Sequence, residues 1–273
     1  MDKVQELQEL LEEELKKLPD NLAVALSGGL DSSIIACLMK KLGLKFKAYV
    51  VGIRNSEDIR YAREQASRIG VQIEVIEVDK KEIEENMGIQ KEILLKLKEK
   101  IPDMIIDTEK ILTNSDFRGA QELEQIKKLL VPDRLRIAVN LPLFFVAKNC
   151  KEKNIVLGQG GDELFGGYLR YLKLEDVEKE MKKDAKLFLK IGMKQNEITG
   201  EYWKKKFLFP YYDKKIMNFA DNLDLKLKIN NGERKIILKK LAEKLNLRIR
   251  EKKAMQYGSG IGFVLQKLQK QKK

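Results

Sequence analysis

The feature that most restricts this chain is an unbroken apolar run at residues 22–26. It is followed at once by Ser27-Gly28-Gly29-Leu30-Asp31-Ser32-Ser33, and then by an amphipathic stretch at 34–42. The run reads as a buried strand, the stretch after the loop as a helix. Two adjacent glycines let backbone N–H groups close on an anion, serine hydroxyls add donors, and the following helix contributes its positive end. The fitting guest is a phosphate or pyrophosphate. A carboxylate among phosphate ligands repels them unless a hard cation such as Mg²⁺ lies between, so Asp31 predicts a metal beside the nucleotide. The Walker A lysine and the G-x-G-x-x-G spacing are both missing here.

The rest of the chain repeats the strand and helix alternation. Residues 46–53 read as a second buried strand. A helix follows from 57, with Ser56 as candidate N-cap and Gly70 as its stop. Residues 71–78 alternate as a half-buried strand near a sheet edge, and 154–157 form a short apolar strand. Such alternation predicts βαβ units in a parallel sheet, with ligands at the carboxyl ends of its strands. Residues 1–17 place Val4, Leu7, Leu10, Leu11 and Leu15 on one face of an amphipathic helix. Residues 80–100 read as a charged helix with a solvated face. Residues 113–119 are polar and turn-like, either a substrate loop or a connector. Residues 133–151 are helical in pattern but interrupted by Pro142, which fits as the first residue of a second helix, 142–149.

Composition excludes several chemistries. The 273 residues include no histidine, so no Ser-His or Cys-His mechanism and no histidine metal site is available. Cys37 and Cys150 are the only cysteines and read as buried thiols of a reducing compartment. The net charge of +12 suits either nucleic acid or simply a Lys/Glu-rich surface. The basic runs lack interleaved aromatics, which favours the surface reading. Neither a membrane span nor a signal peptide is visible, and a cytoplasmic protein is expected. Asp2 stands where an N-terminal cysteine nucleophile of a glutaminase would be sought.

A second glycine-dense stretch follows the strand at 154–157: Gly158-Gln159-Gly160-Gly161-Asp162-Glu163-Leu164-Phe165-Gly166-Gly167-Tyr168. One turn does not need so many glycines. Their density implies backbone approaching a ligand, with Asp162 placed to share a cation with Asp31. The Ser27–Ser33 string resembles the PP-loop of ATP pyrophosphatases. Both segments and the order of elements between them resemble the synthetase domain of the asparagine synthetase family. Phe209-Pro210-Tyr211-Tyr212-Asp213 and the tail around Arg234–Lys240 and Arg250–Gly262 are similar to that family too, so the likeness runs from about Asn21 to Gly262.

The resemblance implies a three-layer α/β domain of the adenine nucleotide alpha hydrolase-like (PP-loop) type, with a parallel sheet and a helical C-terminal extension. The expected division is an N-terminal helix at 1–20 and a synthetase domain at 21–273. It implies an ATP-dependent, AMP-forming amide ligase that activates a carboxylate, the aspartate side chain, for attack by an amine such as ammonia. By the same analogy Leu26, Val51 and Gly158 hold adenosine, while Ser27, Gly28, Gly29, Ser32 and Ser33 cradle the pyrophosphate. Asp31 and Asp162 carry Mg²⁺. Lys253, or else Lys252, supplies the active-site lysine.

Two departures qualify the analogy. No glutaminase half accompanies these residues, so free ammonia, a separate glutaminase subunit or another amine is the expected donor. Gln159 stands where the family has Glu, and a neutral amide orients a substrate but takes no proton. Tyr168, Tyr257 and Glu163 are the fallback bases. A tRNA-modifying PP-loop enzyme and a nucleotide-binding, non-catalytic synthetase-like subunit stay open as alternatives; the missing C-x-x-C and the Gly158 segment stand against the tRNA enzyme.

Overall fold

The computed structural model describes residues 2–111, 134–250 and 258–270. Its centre is a five-stranded, fully parallel sheet. The strands are β1 (Leu22–Ala25), β2 (Phe46–Gly52), β3 (Ile73–Glu77), β4 (Asn154–Val156) and β5 (Lys206–Leu208), in the order β3-β2-β1-β4-β5. β3 lies at an edge, as its half-buried alternation predicts. The order reverses at β1, whose neighbours are β2 on one side and β4 on the other. A crevice therefore opens at the carboxyl ends of β1 and β4.

Because successive side chains of a strand point to opposite faces, the sheet sorts its own residues into two cores. Leu22, Val24, Ala48, Val50 and Val156 face one side. There they pack with α1 (Lys3–Leu15), α2 (Leu30–Lys41) and α3 (Glu57–Ile69), and with two later helices, Lys214–Asp221 and Ile236–Lys244. Ala23, Tyr49, Val51 and Ile155 face the other side. This face is covered by α4 (Lys80–Ile111), α5 (Arg134–Asn149), and the later helices Met193–Trp203 and Ile261–Lys270. The result is a three-layer α/β domain. In chain order the remaining helices are α6 (Gly161–Phe165), α7 (Val177–Leu187), α8 (Met193–Trp203), α9 (Lys214–Asp221), α10 (Ile236–Lys244) and α11 (Ile261–Lys270), and a small antiparallel pair, β6 (Ile229–Asn230) and β7 (Glu233–Arg234), precedes α10.

The local signals behave as their chemistry requires at most points. Leu7, Leu11 and Leu15 of α1 are fully buried. Gly70 ends α3 in the left-handed conformation, φ 72°, where a Cβ is disfavoured. Ser56 occupies the N-cap of α3, but its hydroxyl makes no capping bond. Cys37 and Cys150 are both buried and unlinked. No described helix is long and apolar enough to cross a membrane.

Three expectations need correction. α2 begins at Leu30 and not at 34, so Asp31, Ser32 and Ser33 form its first turn. Residues 134–149 are one helix with Pro142 inside it, not two. The burial of Leu141, Phe144, Phe145 and Ala147 on both sides of the proline holds the helix despite the missing N–H. Lastly, α4 is not a solvated helix: Ile83, Ile93, Leu94 and Leu97 are buried in the second core. The stripe is hard to see because Asn86 and Gln90, also buried, interrupt it. The segment 113–119 lies outside the described residues.

Removing an apolar side chain from this stripe separates the two readings of α4. Leu94→Ala should cost about 2–5 kcal/mol, whereas Lys91→Ala on its exposed face should stay within about 0.5 kcal/mol. Urea unfolding of the two variants measures the contrast, and equal, small effects would return α4 to the solvent.

Candidate functional site

The two glycine segments meet because β1 and β4 are adjacent and parallel, so the loops that leave them emerge side by side. Gly158 approaches backbone and Gly161 a carboxylate. A Cβ built on Gly158 would lie 2.5 Å from the Ser32 nitrogen, and one on Gly161 would lie 2.4 Å from Asp31 Oδ1. Gly28 turns with φ +66° and packs against α3, where a Cβ would stand 2.4 Å from the Tyr61 carbonyl carbon. Between them lies a cavity bounded by Leu26, Ser27, Gly29, Asp31, Ser32, Val51, Gly158, Gln159 and Asp162. Tyr49, Pro142, Leu143, Val146 and Leu157 give it one apolar wall. Nine of the residues picked from the sequence thus share one cavity, and Gly28 and Ser33 are not part of its lining.

The serines of the loop bond only weakly among themselves. Ser27 Oγ and Ser32 Oγ lie 3.2 Å apart, the Ser27 N–H reaches Ser32 Oγ at 3.3 Å, and the Gly29 N–H reaches Ser27 Oγ at 3.4 Å. Ser33 Oγ is buried with no hydrogen-bond partner among the described residues. Contacts this long are easily exchanged for shorter ones to an anion.

Asp31 and Asp162 do converge, on a side chain that sequence reasoning left without a role. Lys235 Nζ lies 2.6 and 2.8 Å from the two Asp31 oxygens and 2.7 Å from Asp162 Oδ1. Lys235 sits at the start of α10 in the left-handed conformation, φ 55°. Burial by itself would depress its pKa, but the two carboxylates outweigh this and hold it above the ordinary lysine value. The one local clue is its position between the Asn231-Gly232 turn and an apolar run, which says nothing about a carboxylate pair.

A second ion pair underlies the loop. Arg250 Nη2 donates to Asp58 Oδ1 at 2.7 Å and to the Ser27 carbonyl at 3.1 Å, and its guanidinium lies 4.0 Å above the Tyr61 ring. Asp58 also borders the cavity. A Cβ on Gly258 would meet the same Asp58 Oδ1 at 2.4 Å, and the Ile53 N–H donates to the Ser259 carbonyl at 2.9 Å. Lys252 and Lys253 lie outside the described residues, as does Tyr257. Their described neighbours on either side, Arg250 and Gly258, both meet Asp58.

The remaining candidates are held by their neighbours. Tyr168 donates to Glu163 Oε1 at 2.5 Å. Burial and the neighbouring Asp162 charge push Glu163 up to about 7, against the pull of the tyrosine's hydrogen bond. Burial and the Glu163 charge raise the Tyr168 pKa as well. Gln159 is held from α8, where Asn196 Nδ2 donates to its Oε1 at 2.8 Å. Among the described residues no cluster of three or more metal-binding side chains occurs.

The family model for asparagine synthase matches residues 6–102 and 104–209, a span that includes both glycine loops and the strands beneath them. The chain belongs to the asparagine synthase family. It is similar to a protein of Methanocaldococcus jannaschii whose name describes a glutamine-hydrolyzing asparagine synthetase, at 24% identity over 88% of this chain and 46% of the relative. It is also similar to asparagine synthetase 2 of Oryza sativa, at 26% identity over 74% of this chain and 31% of that protein. The chain therefore spans less than half the length of these relatives. Among solved structures it is similar to an NMN synthetase from Francisella tularensis, with 13% identity, a TM-score of 0.32, and coverage of 100% of this chain and 95% of that one. At that score the parallel sheet and the family match carry the fold assignment, not the neighbour.

The Asp58–Arg250 pair is 3% and 5% exposed, so removing one charge strands the other. Arg250→Met should cost about 3–5 kcal/mol, and adding Asp58→Leu should recover most of the loss. Denaturant unfolding of the single and double variants decides this; additive losses would show that the pair is not the source of the effect.

Proposed function

We propose that this protein is an ATP-dependent, AMP-forming amide ligase that activates the side-chain carboxylate of aspartate and transfers ammonia to it. The observation that carries this reading is the meeting of the two glycine loops at the ends of β1 and β4, with Asp31 and Asp162 drawn to one point between them. Membership of the asparagine synthase family supports the reaction class.

In this reading the apolar wall with Leu26, Val51 and Gly158 takes the adenosine. Ser27, Gly28, Gly29, Ser32 and Ser33 take the β- and γ-phosphates, exchanging their long mutual contacts for shorter bonds to phosphate oxygens. The substrate carboxylate attacks the α-phosphorus and pyrophosphate leaves. Ammonia then displaces AMP from the acyl-adenylate, supplied free or by a separate glutaminase subunit. Lys253 or Lys252 stabilises the charge that builds on phosphate and on the tetrahedral centre. Enclosure by the apolar wall protects the acyl-adenylate from water.

The metal assignment fits the donor chemistry. Asp31 and Asp162 are oxygen donors that already converge on a single cationic centre, the Lys235 ammonium, and hard oxygen ligands suit Mg²⁺. When bound there with the nucleotide, Mg²⁺ would neutralise the leaving pyrophosphate. Lys235 holds the two carboxylates together until then, and against their repulsion.

Mg-ATP with L-aspartate and ammonium should yield AMP, pyrophosphate and asparagine, with asparagine absent when ammonium is withheld. Chromatographic identification of the nucleotide and the amino acid checks this; ADP as product, or no turnover with aspartate, sinks the assignment. Lys235→Ala should destabilise the protein by roughly 2–4 kcal/mol, less than for a fully buried pair because Asp162 keeps 43% of its side-chain exposure. Millimolar Mg²⁺ should then raise the Tm of this variant more than that of the unsubstituted protein, and equal shifts in calorimetry would remove the metal from the two aspartates.

A further inference from the structure

The basic residues of this chain are not shared out evenly. It has 43 lysines and 11 arginines, yet from Ala48 to Asp79 there are four arginines and no lysine. α3 carries Arg60, Arg63 and Arg68, all exposed, and Arg248 comes to it from the segment after α10. Folding gathers several of them around one aromatic ring. The guanidinium carbons of Arg60 and Arg248 lie 4.4 and 5.5 Å from the centre of the Tyr61 ring, and that of Arg250 lies at 4.0 Å. Arg250 is the buried member, 5% exposed and fixed by Asp58 and the Ser27 carbonyl, so the ring rests on a rigid support. Arg60 and Arg248 are the exposed members, and Glu64 holds Arg248 at 2.5 Å. Along the sequence no basic run is interleaved with aromatics; across these two segments the fold makes such a cluster.

Solubility does not call for arginine here, since lysine serves that purpose over the rest of the surface. Arginine differs in its flat fork of donors, which pairs with phosphate oxygens at two points and stacks on rings. We infer that the Tyr61 cluster is a binding surface for RNA, with Arg60, Arg63 and Arg248 meeting phosphates and the stacked guanidinium planes receiving unpaired bases. Single-stranded loops and ends present such bases, whereas a duplex hides them. The surface is built from one helix and one passing segment, so it suits a short stretch of strand. The Tyr61 backbone lies against Gly28, where a Cβ would stand 2.4 Å from its carbonyl carbon, which places the RNA beside the 27–33 loop. Such binding is independent of the ligase reading.

The test is fluorescence anisotropy with a labelled, unstructured RNA of about 12 nucleotides, in the absence of ATP. Arg60→Lys combined with Arg248→Lys keeps the net charge but removes the forks and the stacked planes, and should weaken binding about 10-fold. Arg60→Ala combined with Arg248→Ala should in addition lower the slope of log Kd against log salt by about 1.4, since each phosphate contact to a single strand accounts for about 0.7. Lys179→Ala combined with Lys183→Ala removes two exposed charges from α7 and should change the affinity less than about twofold. The same RNA annealed to its complement should bind at least about 10-fold more weakly, because its bases are no longer free to stack. Failure of the single strand to bind overturns the inference. So does an equal loss in the α7 variant, which would reduce the binding to general attraction by a net charge of +12. Equal binding of the duplex, or competition by inorganic polyphosphate as effective as that by unlabelled RNA at the same phosphate concentration, overturns it as well.

Discussion

The site depends on two stretches of backbone lying closer together than any side chain permits. Gly158 faces the Ser32 nitrogen and Gly161 faces the Asp31 carboxylate at distances a Cβ could not occupy. Parallel pairing of β1 with β4 brings the loops to the same edge, and the missing side chains let them close. Everything else about the cavity follows from that approach. It places the first turn of α2 and the start of α6 together, and so puts their acidic residues, Asp31 and Asp162, within reach of one cation.

That juxtaposition creates an electrostatic problem as well as a binding site. Two carboxylates at a partly buried point repel each other, and the chain has no histidine to moderate them. Lys235 answers this from an element more than two hundred residues after Asp31, entering in a left-handed conformation at the head of α10. Glu163 next door takes the other course: kept from solvent and beside Asp162, it is pushed up to about 7 and rests on the Tyr168 hydroxyl. Two ways of tolerating acid groups thus operate within a few residues, one by a counter-charge and one by favouring the protonated form.

The fold was legible because its signals are local. Apolar runs of strand length, glycine stops and three- and four-residue spacing reveal β1 to β4 and α1 to α5 without reference to anything distant, whereas β5 and the short helices α6 to α11 carry no such signal of their own. Legibility fails where a distant partner decides. Pro142 stays within a helix because surrounding core residues hold it there, and the buried stripe of α4 is disguised by Asn86 and Gln90. The same division runs through the site. The loop residues declare themselves by type and spacing, but Lys235, Arg250 and Asn196 are an ordinary lysine, arginine and asparagine until folding sets them against Asp31, Asp58 and Gln159.

The Asp58–Arg250 contact also has a bearing on time. Its partners are 192 residues apart in the chain, and the Ser27 carbonyl that shares the guanidinium is 223 residues away. During synthesis the 27–33 loop and α3 emerge long before the arginine that ties them together. Until then Asp58 has no counter-ion and the loop no floor. The nascent chain thus holds β1, β2 and β3 through the synthesis of more than a hundred further residues before the loop at the end of β1 gains its support.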